Sequence, residues 1–367
     1  MKIAFLGDIA LFGKFSVGNK DVFNYFYDVS TKLNEFDYVI GNLETPLYNG
    51  NRTYGAKSAN IKADERNIEL LKYLNINVVN LANNHIYDYG IDGFKKTRYL
   101  LDKYGIGYFG VNNIQHRIVN YEEGVKLAFN GFCCYSTNGV GYLTNGILDG
   151  VNELNAFRVE KIMLKNHRDG YLNIASFHAG EEHVNYPNYD HIIMARKLAQ
   201  KVPYVYYGHH PHVMQGMEKI GESLIAYSLG NFCFDDVYID ISNGPLIKQS
   251  VENRKSFILS LDITNNKVSN YGIIPIFSGD TMFEVGKDST IKEEIDKYSG
   301  YLYYDKKRYI RERTTLRNDY IARRKSARNL EWYLRRMKIN TLIMLINAIK
   351  NWNKYKKMVQ MYSYEDE

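Results

Sequence analysis

The sequence predicts an α/β protein of stacked layers followed by a basic helical C-terminal segment. Three observations carry that prediction. Short apolar runs each end on polar or glycine positions, helix-length segments lie between them, and the composition changes abruptly near residue 286. The chain has 367 residues, enough for two domains or one large domain with an appendage. Apolar residues make up 45% and charged residues 24%, which excludes a disordered chain.

The strands, in order, are IAFLGD (3–8), YVIGN (38–42), VVNLANN (78–84), LNIASFH (172–178) and VYYGHH (205–210). Segments 20–34, 64–75, 90–104, 155–168 and 188–201 read as the helices between them. Leu70, Leu71 and Leu74 fall at helical spacing, as do Phe94, Leu100 and Leu101. Alternation of this kind argues for α/β layers. From 213 to 276 the helices stop. VMQGMEKIG, SLIAYSLGNF, SFILSLDIT and VSNYGIIPIF read as successive strands, with turns at Ile220-Gly221 and Asn265-Asn266. Late antiparallel strands of this sort complete a sheet. GIGYFG at 105–110 matches a dinucleotide fingerprint in letters, but a helix precedes it and a strand follows, so Gly105 is expected to cap that helix.

The net charge of +6 is uneven. Residues 301–360 carry 17 Lys+Arg against 4 Asp+Glu, whereas residues 1–300 carry 30 against 34. The chain is therefore divided into a body, 1–285, and a basic, Tyr-rich helical tail, 286–367. The bland expectation for the tail is a solvated appendage or oligomerisation element. Peripheral contact with anionic lipid ranks second, because NTLIMLINAIKNWNKYKK pairs an apolar run with Trp352, Tyr355 and lysines. Nucleic acid ranks third, on the interleaving of Arg and Lys with Tyr, Leu and Trp332. The longest apolar stretch, Ile339–Ile349, is too short to span a bilayer. Asp8 follows Lys2 too closely for a signal-peptide apolar region. Three cysteines, Cys133, Cys134 and Cys233, form no C-x-x-C pair and suit a reducing compartment. A cytoplasmic location, with peripheral contact at the inner face of the membrane, is expected.

The polar residues that follow the strands share one chemistry. Asp8 follows the first, Asn42 and Glu44 the second, and Asn83, Asn84 and His85 the third, with Asp88 shortly after. His178 follows the fourth, with Glu181 and Glu182 close behind, and His209, His210 and His212 follow the fifth. Ligands bind beyond the carboxyl ends of strands in an open α/β sheet, so these residues are expected at one edge. Imidazole, carboxylate and amide without thiolate suit a divalent ion such as Mn, Zn or Fe. Singly, each piece has an ordinary use: Asp8 as a helix cap, His178 as a satisfied side chain. GHHPH is harder to explain by packing, as is ANNHIYD, which sets four polar groups behind an apolar strand.

Six motifs then stand in order: GD at 7–8, GNLETPL at 41–47, NLANNHIYDYG at 80–90, HAGEE at 178–182, GHHPHVMQG at 208–216 and SLGNF at 228–232. Together they resemble the CapA-type family, named for bacterial capsule and poly-gamma-glutamate synthesis, which is itself similar to the calcineurin-like metallophosphoesterases. The resemblance implies a four-layer α/β/β/α sandwich with a one- or two-metal centre at the sheet edges. It implies metal ligation by Asp8, Asn84, His178, His210 and His212. His85 would act as acid/base and Asp88 would orient its ring. Asn42, Asn83, His209 and Asn231 are assigned to substrate.

Two departures bear on the site. Ala10 stands where the broader superfamily has the His of D-x-H, and Asn42 stands where it has a bridging Asp. Glu44 is the substitute carboxylate. Both changes weaken the same half, so one firmly held ion is expected, with a second weak or absent. The expected activity is metal-dependent hydrolysis or transfer, phosphoesterase-like, in capsule or other surface-polymer synthesis. Its substrate would be an anionic polymer or phosphorylated saccharide. Glu181 or Glu182 could serve instead as base at an amide or glycosyl centre. The rival is a non-catalytic polymer-binding or assembly module.

Overall fold

Two β-sheets lie face to face, with helices on both outer sides, in a computed structural model that describes residues 1–54, 57, 59–137, 150–238, 244–326 and 339–357. The first sheet holds β1 (Lys2–Ile9), β2 (Tyr38–Leu43), β3 (Ile76–Asn80) and β4 (Gly107–Phe109), all parallel. The second is built on β5 (His116–Asn120), β6 (Val125–Cys133), β7 (Leu172–His178) and β8 (Tyr204–His209). It ends with β9 (Met217–Ile220) on the edge and β10 (Ser223–Ala226) beside β8. The chain then returns to the first sheet. There β11 (Asn231–Cys233) pairs β1 in parallel, and β12 (Lys255–Thr264), β13 (Lys267–Ser278) and β14 (Phe283–Val285) extend it antiparallel.

Alternation along the strands builds two interiors, because successive side chains point to opposite faces. Ile3, Phe5, Ile40 and Val78 of the first sheet meet Leu127, Phe129, Ile174 and Val205 of the second. Ala4, Leu6, Val39 and Val79 face outward onto α1 (Val22–Tyr25), α2 (Tyr27–Leu33), α3 (Ile68–Tyr73) and α4 (Gly90–Lys103). Ala175, Phe177, Tyr204 and Tyr206 face α5 (Ala156–Arg168) and α6 (Tyr189–Lys201). The layer order is α/β/β/α, the order the resemblance implies. Gly105, at φ +68°, follows the end of α4 and precedes β4, as a C-cap should.

Two expectations are corrected, and one strand is added. The five ligand-bearing strands do not share one sheet edge: β1, β2 and β3 lie in the first sheet, β7 and β8 in the second. SLIAYSLGNF is not one strand. It breaks after Ala226 and passes from one sheet to the other through Gly230 at φ +80°. Residues 127–133 of the apolar run LAFNGFCCY lie in β6, an interior strand paired with β5 and β7. Buried on both faces, it shows no alternation to read.

After the short α7 (Val251–Arg254), the chain beyond residue 285 begins with α8 (Thr290–Tyr301) and α9 (Lys306–Ser326). Ile291 and Ile295 of α8 are buried in the interior between the sheets, and Tyr309 of α9 is also buried. The packed body thus continues past the boundary drawn from composition. NTLIMLINAIKNWNKYKK lies largely in α10 (Ile339–Tyr355), where Leu342, Leu345 and Ile349 are exposed. No helix of the described residues is long and apolar enough to cross a membrane. Trp332 lies outside the described residues.

Candidate metal centre

The register of the first sheet lines up a row of polar side chains. Asn80 lies beside Asn42, Asn42 beside Asp8, and Asp8 beside Asn231. Gly7 permits that last pairing, since a Cβ there would sit 2.0 Å from the Gly230 carbonyl oxygen. Asp8 N donates to that oxygen at 3.0 Å. In the second sheet His178 lies beside His209. The chain then turns sharply, with His210 at φ 92° and His212 at φ 56°. Positive φ is costly for a side-chain-bearing residue and persists where its surroundings demand it. Here the turn aims the His210 amide at Asp8 Oδ2, 3.2 Å away.

Glu44 stands in the middle. It is fully buried, and neither carboxylate oxygen has a hydrogen-bond partner. Its Oε1 is 3.7 Å from His178 Nε2 and 3.7 Å from His212 Nε2. Burial and the Asp8 charge push its carboxyl well above the usual range. Glu44, His178 and His210 place ligand atoms within 4.8 Å of one another, as do Asp8, Glu44 and His212. Asn84 joins the first set: its Oδ1 is 2.9 Å from His178 Nε2. His210 Nδ1 and Asn84 Nδ2 are buried without partners. Burial keeps His178 and His210 neutral, pushing His210 down to about 3. Neutral imidazole is the form that binds a metal. A carboxylate and a neutral imidazole nitrogen, both buried without hydrogen-bond partners and close together, fit a divalent cation.

The Asp8 side is filled by protein. Asn42 Nδ2 donates to Asp8 Oδ1 at 2.8 Å, and His209 and His212 each bring Nδ1 to 3.4 Å from an Asp8 oxygen. Burial alone would raise the Asp8 carboxyl, but these two histidines hold it well below its ordinary value. Burial opposes the charge on His212, yet Glu44 and Asp8 outweigh it and carry this imidazole up to about 10. His212 Nδ1 also lies 2.9 Å from Asn231 Oδ1.

His85 stands at the mouth. Its Nδ1 is 2.6 Å from Asp88 Oδ2, which also accepts from Ile61 N at 2.8 Å. Lys57 pairs with Asp88 Oδ1 and donates to the Asn84 carbonyl. Burial lowers the His85 pKa against the pull of Asp88. His85, Lys57, Glu182, His183, His212 and Arg324 are among the residues lining the cavity above the cluster.

Several assignments change. Asn42, Asn83, His209 and Asn231 are buried beneath the cluster and do not line that cavity. Asn42 Oδ1 accepts from Asn80 Nδ2 at 2.9 Å, which turns its Nδ2 toward Asp8. Asn83 Oδ1 accepts the amides of His85 and Ile86, shaping the turn after β3. His209 packs edge-on against Tyr207. Glu181 is held by Arg313 and Arg317, leaving Glu182 as the carboxylate of that pair in the cavity. Glu182, despite burial, is held low by His210 and its neighbours. Lys57, His183 and Arg324 escape sequence reasoning. One lysine in a polar loop and one arginine in a basic helix carry no local mark. His183 follows HAGEE directly and was the readable one.

Residues 2–236 match the family described as bacterial capsule synthesis protein PGA_cap. The chain belongs to that family. The PGA biosynthesis protein CapA of Bacillus subtilis (strain 168) is 29% identical over 324 residues, 83% of this chain and 80% of the relative. The capsule biosynthesis protein CapA of Bacillus anthracis is 29% identical over 248 residues, 64% and 60% respectively. Among solved structures, a putative 5'-nucleotidase from Staphylococcus aureus aligns with TM-score 0.47 and 11% identity over 81% of this chain and 58% of that one. A calcineurin-like phosphoesterase from Bacillus subtilis aligns with TM-score 0.39 and 13% identity over 83% and 99%. The family match ends at residue 236, short of α8 and α9.

Proposed function

We propose that this PGA_cap protein is a metal-dependent hydrolase or transferase of phosphoesterase type. It would act on an anionic polymer or phosphorylated saccharide in capsule or other surface-polymer synthesis. The observation that carries the reading is Glu44: a buried carboxylate with no hydrogen-bond partner, set between His178 and His212. Glu44, Asn84, His178 and His210 would hold the ion, and Asp8, Glu44 and His212 a second, weaker one. Such an ion supplies charge to polarise a phosphoryl oxygen and lowers the pKa of water beside it.

The chain's own residues supply the proton chemistry. Asp88 accepts from His85 Nδ1, which fixes the ring and leaves Nε2 for the cavity. Lys57 and Ile61 N hold Asp88 still. As the imidazolium, which Asp88 favours and burial opposes, His85 would deliver its Nε2 proton to the leaving oxygen and remain a neutral ring with its Nδ1 proton on Asp88. The rival reading, a non-catalytic holder of an anionic polymer, draws support from Asn42, whose amide donates to Asp8 where a bridging carboxylate would stand.

Elemental analysis of the purified protein, followed by an ester-hydrolysis screen with Mn, Zn or Fe restored, separates the two. Turnover that falls about 10²–10⁴-fold in His85→Ala, with metal content kept, supports catalysis. Bound metal without turnover on any phosphate ester supports the holder. No metal, and no thermal shift with any of the three ions, removes the metal centre itself.

A further inference from the structure

One face of α9 is laid along the rim of the site. Tyr309, Arg313, Arg317, Tyr320 and Arg324 recur at intervals of four, four, three and four residues, which places them on one side of a helix. The first four grip the segment that follows β7. Tyr309 donates to Pro187 O at 2.8 Å. Arg313 donates to Pro187 O at 3.1 Å and to Glu181 Oε2 at 3.0 Å, and Arg317 pairs with Glu181 Oε1. The Tyr320 ring stacks on His183, centroids 4.9 Å apart and planes at 29°. His183 is held at φ 62°, its Nδ1 2.9 Å from Asn253 Nδ2. The stripe delivers Arg324 to the cavity that also holds His85 and His212.

A second cavity, of about 520 Å³, shares His183, Ile247 and Arg324 with the first. Tyr320, Arg323 and Arg324 of α9 form one wall, and residues 245–253 contribute to the other. Lys248, Arg323 and Arg324 bring positive charge to its lining. Glu252 is the carboxylate among the lining residues, and Lys255 Nζ pairs with it at 3.1 Å. A groove with that balance favours an anionic occupant.

We infer that this groove is the binding track for the part of an anionic substrate that extends away from the metal centre, with Arg324 as the residue that positions it. The recognised chemistry is an oxyanion, carboxylate or phosphate, repeated along a chain. The inference rests on the reading above for where the track leads, but not for whether it binds.

Equilibrium binding to the full chain tests it, with a γ-linked glutamate oligomer and tripolyphosphate as separate probes. Arg324→Glu should weaken binding about tenfold or more at low salt, Arg324→Lys should restore most of it, and added salt should narrow the difference. Lys248→Glu, on the opposite wall and outside α9, should weaken binding as well; a merely structural role for Arg324 would not predict that. Melting temperatures check that each variant is folded. Loss confined to the glutamate oligomer assigns the groove to carboxylate chains, and loss confined to tripolyphosphate assigns it to phosphate. Wild-type protein that binds neither probe, or charge reversals that leave binding unchanged, overturns the inference. Metal content and turnover on the same preparations keep the two proposals apart. Arg324-dependent binding without turnover retains the groove and removes the catalytic reading, and turnover with Arg324-independent binding does the reverse.

Discussion

The two halves of the centre draw on the same residue types and differ in what satisfies them. On one side His178, His210 and Asn84 converge on Glu44, with both Glu44 oxygens and the neutral His210 Nδ1 left without hydrogen-bond partners. On the other, Asp8 takes hydrogen bonds from Asn42 Nδ2 and the His210 amide, and His212 Nδ1 reaches Asn231. Unpaired buried polar atoms are costly, so the first half gains most from a cation. The second has already exchanged that need for internal hydrogen bonds. An ion entering there must compete with Asn42 and Asn231, which is the physical reason to expect one strong site and one weak site.

Glu44 is common to both halves, so its removal should have the largest effect. Glu44→Gln should lose metal from the whole centre and abolish turnover, as checked by elemental analysis and the ester assay. It should also leave the chelated protein at least as stable, because burial already pushes the Glu44 carboxyl toward its neutral form and Gln is neutral with nearly the same shape. Retention of a full metal complement by Glu44→Gln would break the comparison outright.

The halves can next be set against each other. His178→Ala should weaken metal affinity by more than about 100-fold, beyond the usual cost of losing an outer supporting residue. His212→Ala should lose less, because its half holds the weaker ion. Titration of the two variants with Zn or Mn decides this. Equal losses would mean that the halves are equivalent.

Much of this contrast can be read from residues in the sequence, and the unreadable part has a physical cause. The departures at Ala10 and Asn42 fall in the Asp8 half, and local motifs suffice to show it. The layer order also follows from strand–helix alternation together with the resemblance. Other features depend on partners distant in sequence. Asn42 and Asn83 look like substrate contacts until Asn80 Nδ2 and the His85 and Ile86 amides occupy their oxygens. Glu181 looks like a base until Arg313 and Arg317, more than a hundred residues later, claim it. Charge counting marks residues 301–360 as basic, but it does not show that Tyr309 is buried or that Arg324 reaches the cavity. β6 is hidden because a strand buried on both faces has no period.

Asn42→Asp sharpens the comparison at smaller amplitude. It places a second carboxylate next to Asp8, where Asn42 Nδ2 now donates at 2.8 Å. Without metal the two charges repel in a buried site, so the chelated variant should melt lower than wild type. With metal in excess the same change supplies a bridge, and stoichiometry should rise toward two ions per chain. Unchanged stoichiometry would show that the Asp8 half is limited by something other than Asn42.

The smallest expected effect is the pH dependence of the chelated protein, and it isolates the Asp8 half. His212 is carried up to about 10 by Glu44 and Asp8, against the opposing effect of burial. Its unfolded value is about 6.5. A folded pKa above the unfolded one means that the folded chain holds more protons between those values. Stability from this group is therefore fully present below about pH 6.5 and is lost as pH rises toward 10. Glu44, raised by burial and by Asp8, acts in the same direction above its own unfolded value. The melting temperature of chelated protein should accordingly fall as pH rises from about 6.5 to 10. Metal requires these ligands deprotonated, so bound metal displaces the same protons and its affinity grows with pH. Metal-loaded protein should therefore show a shallower fall over the same range, and His212→Ala should flatten the chelated profile without flattening the loaded one. If chelated and loaded protein decline in parallel, the protons are not held at the centre, and the charge balance drawn for Asp8, Glu44 and His212 is wrong.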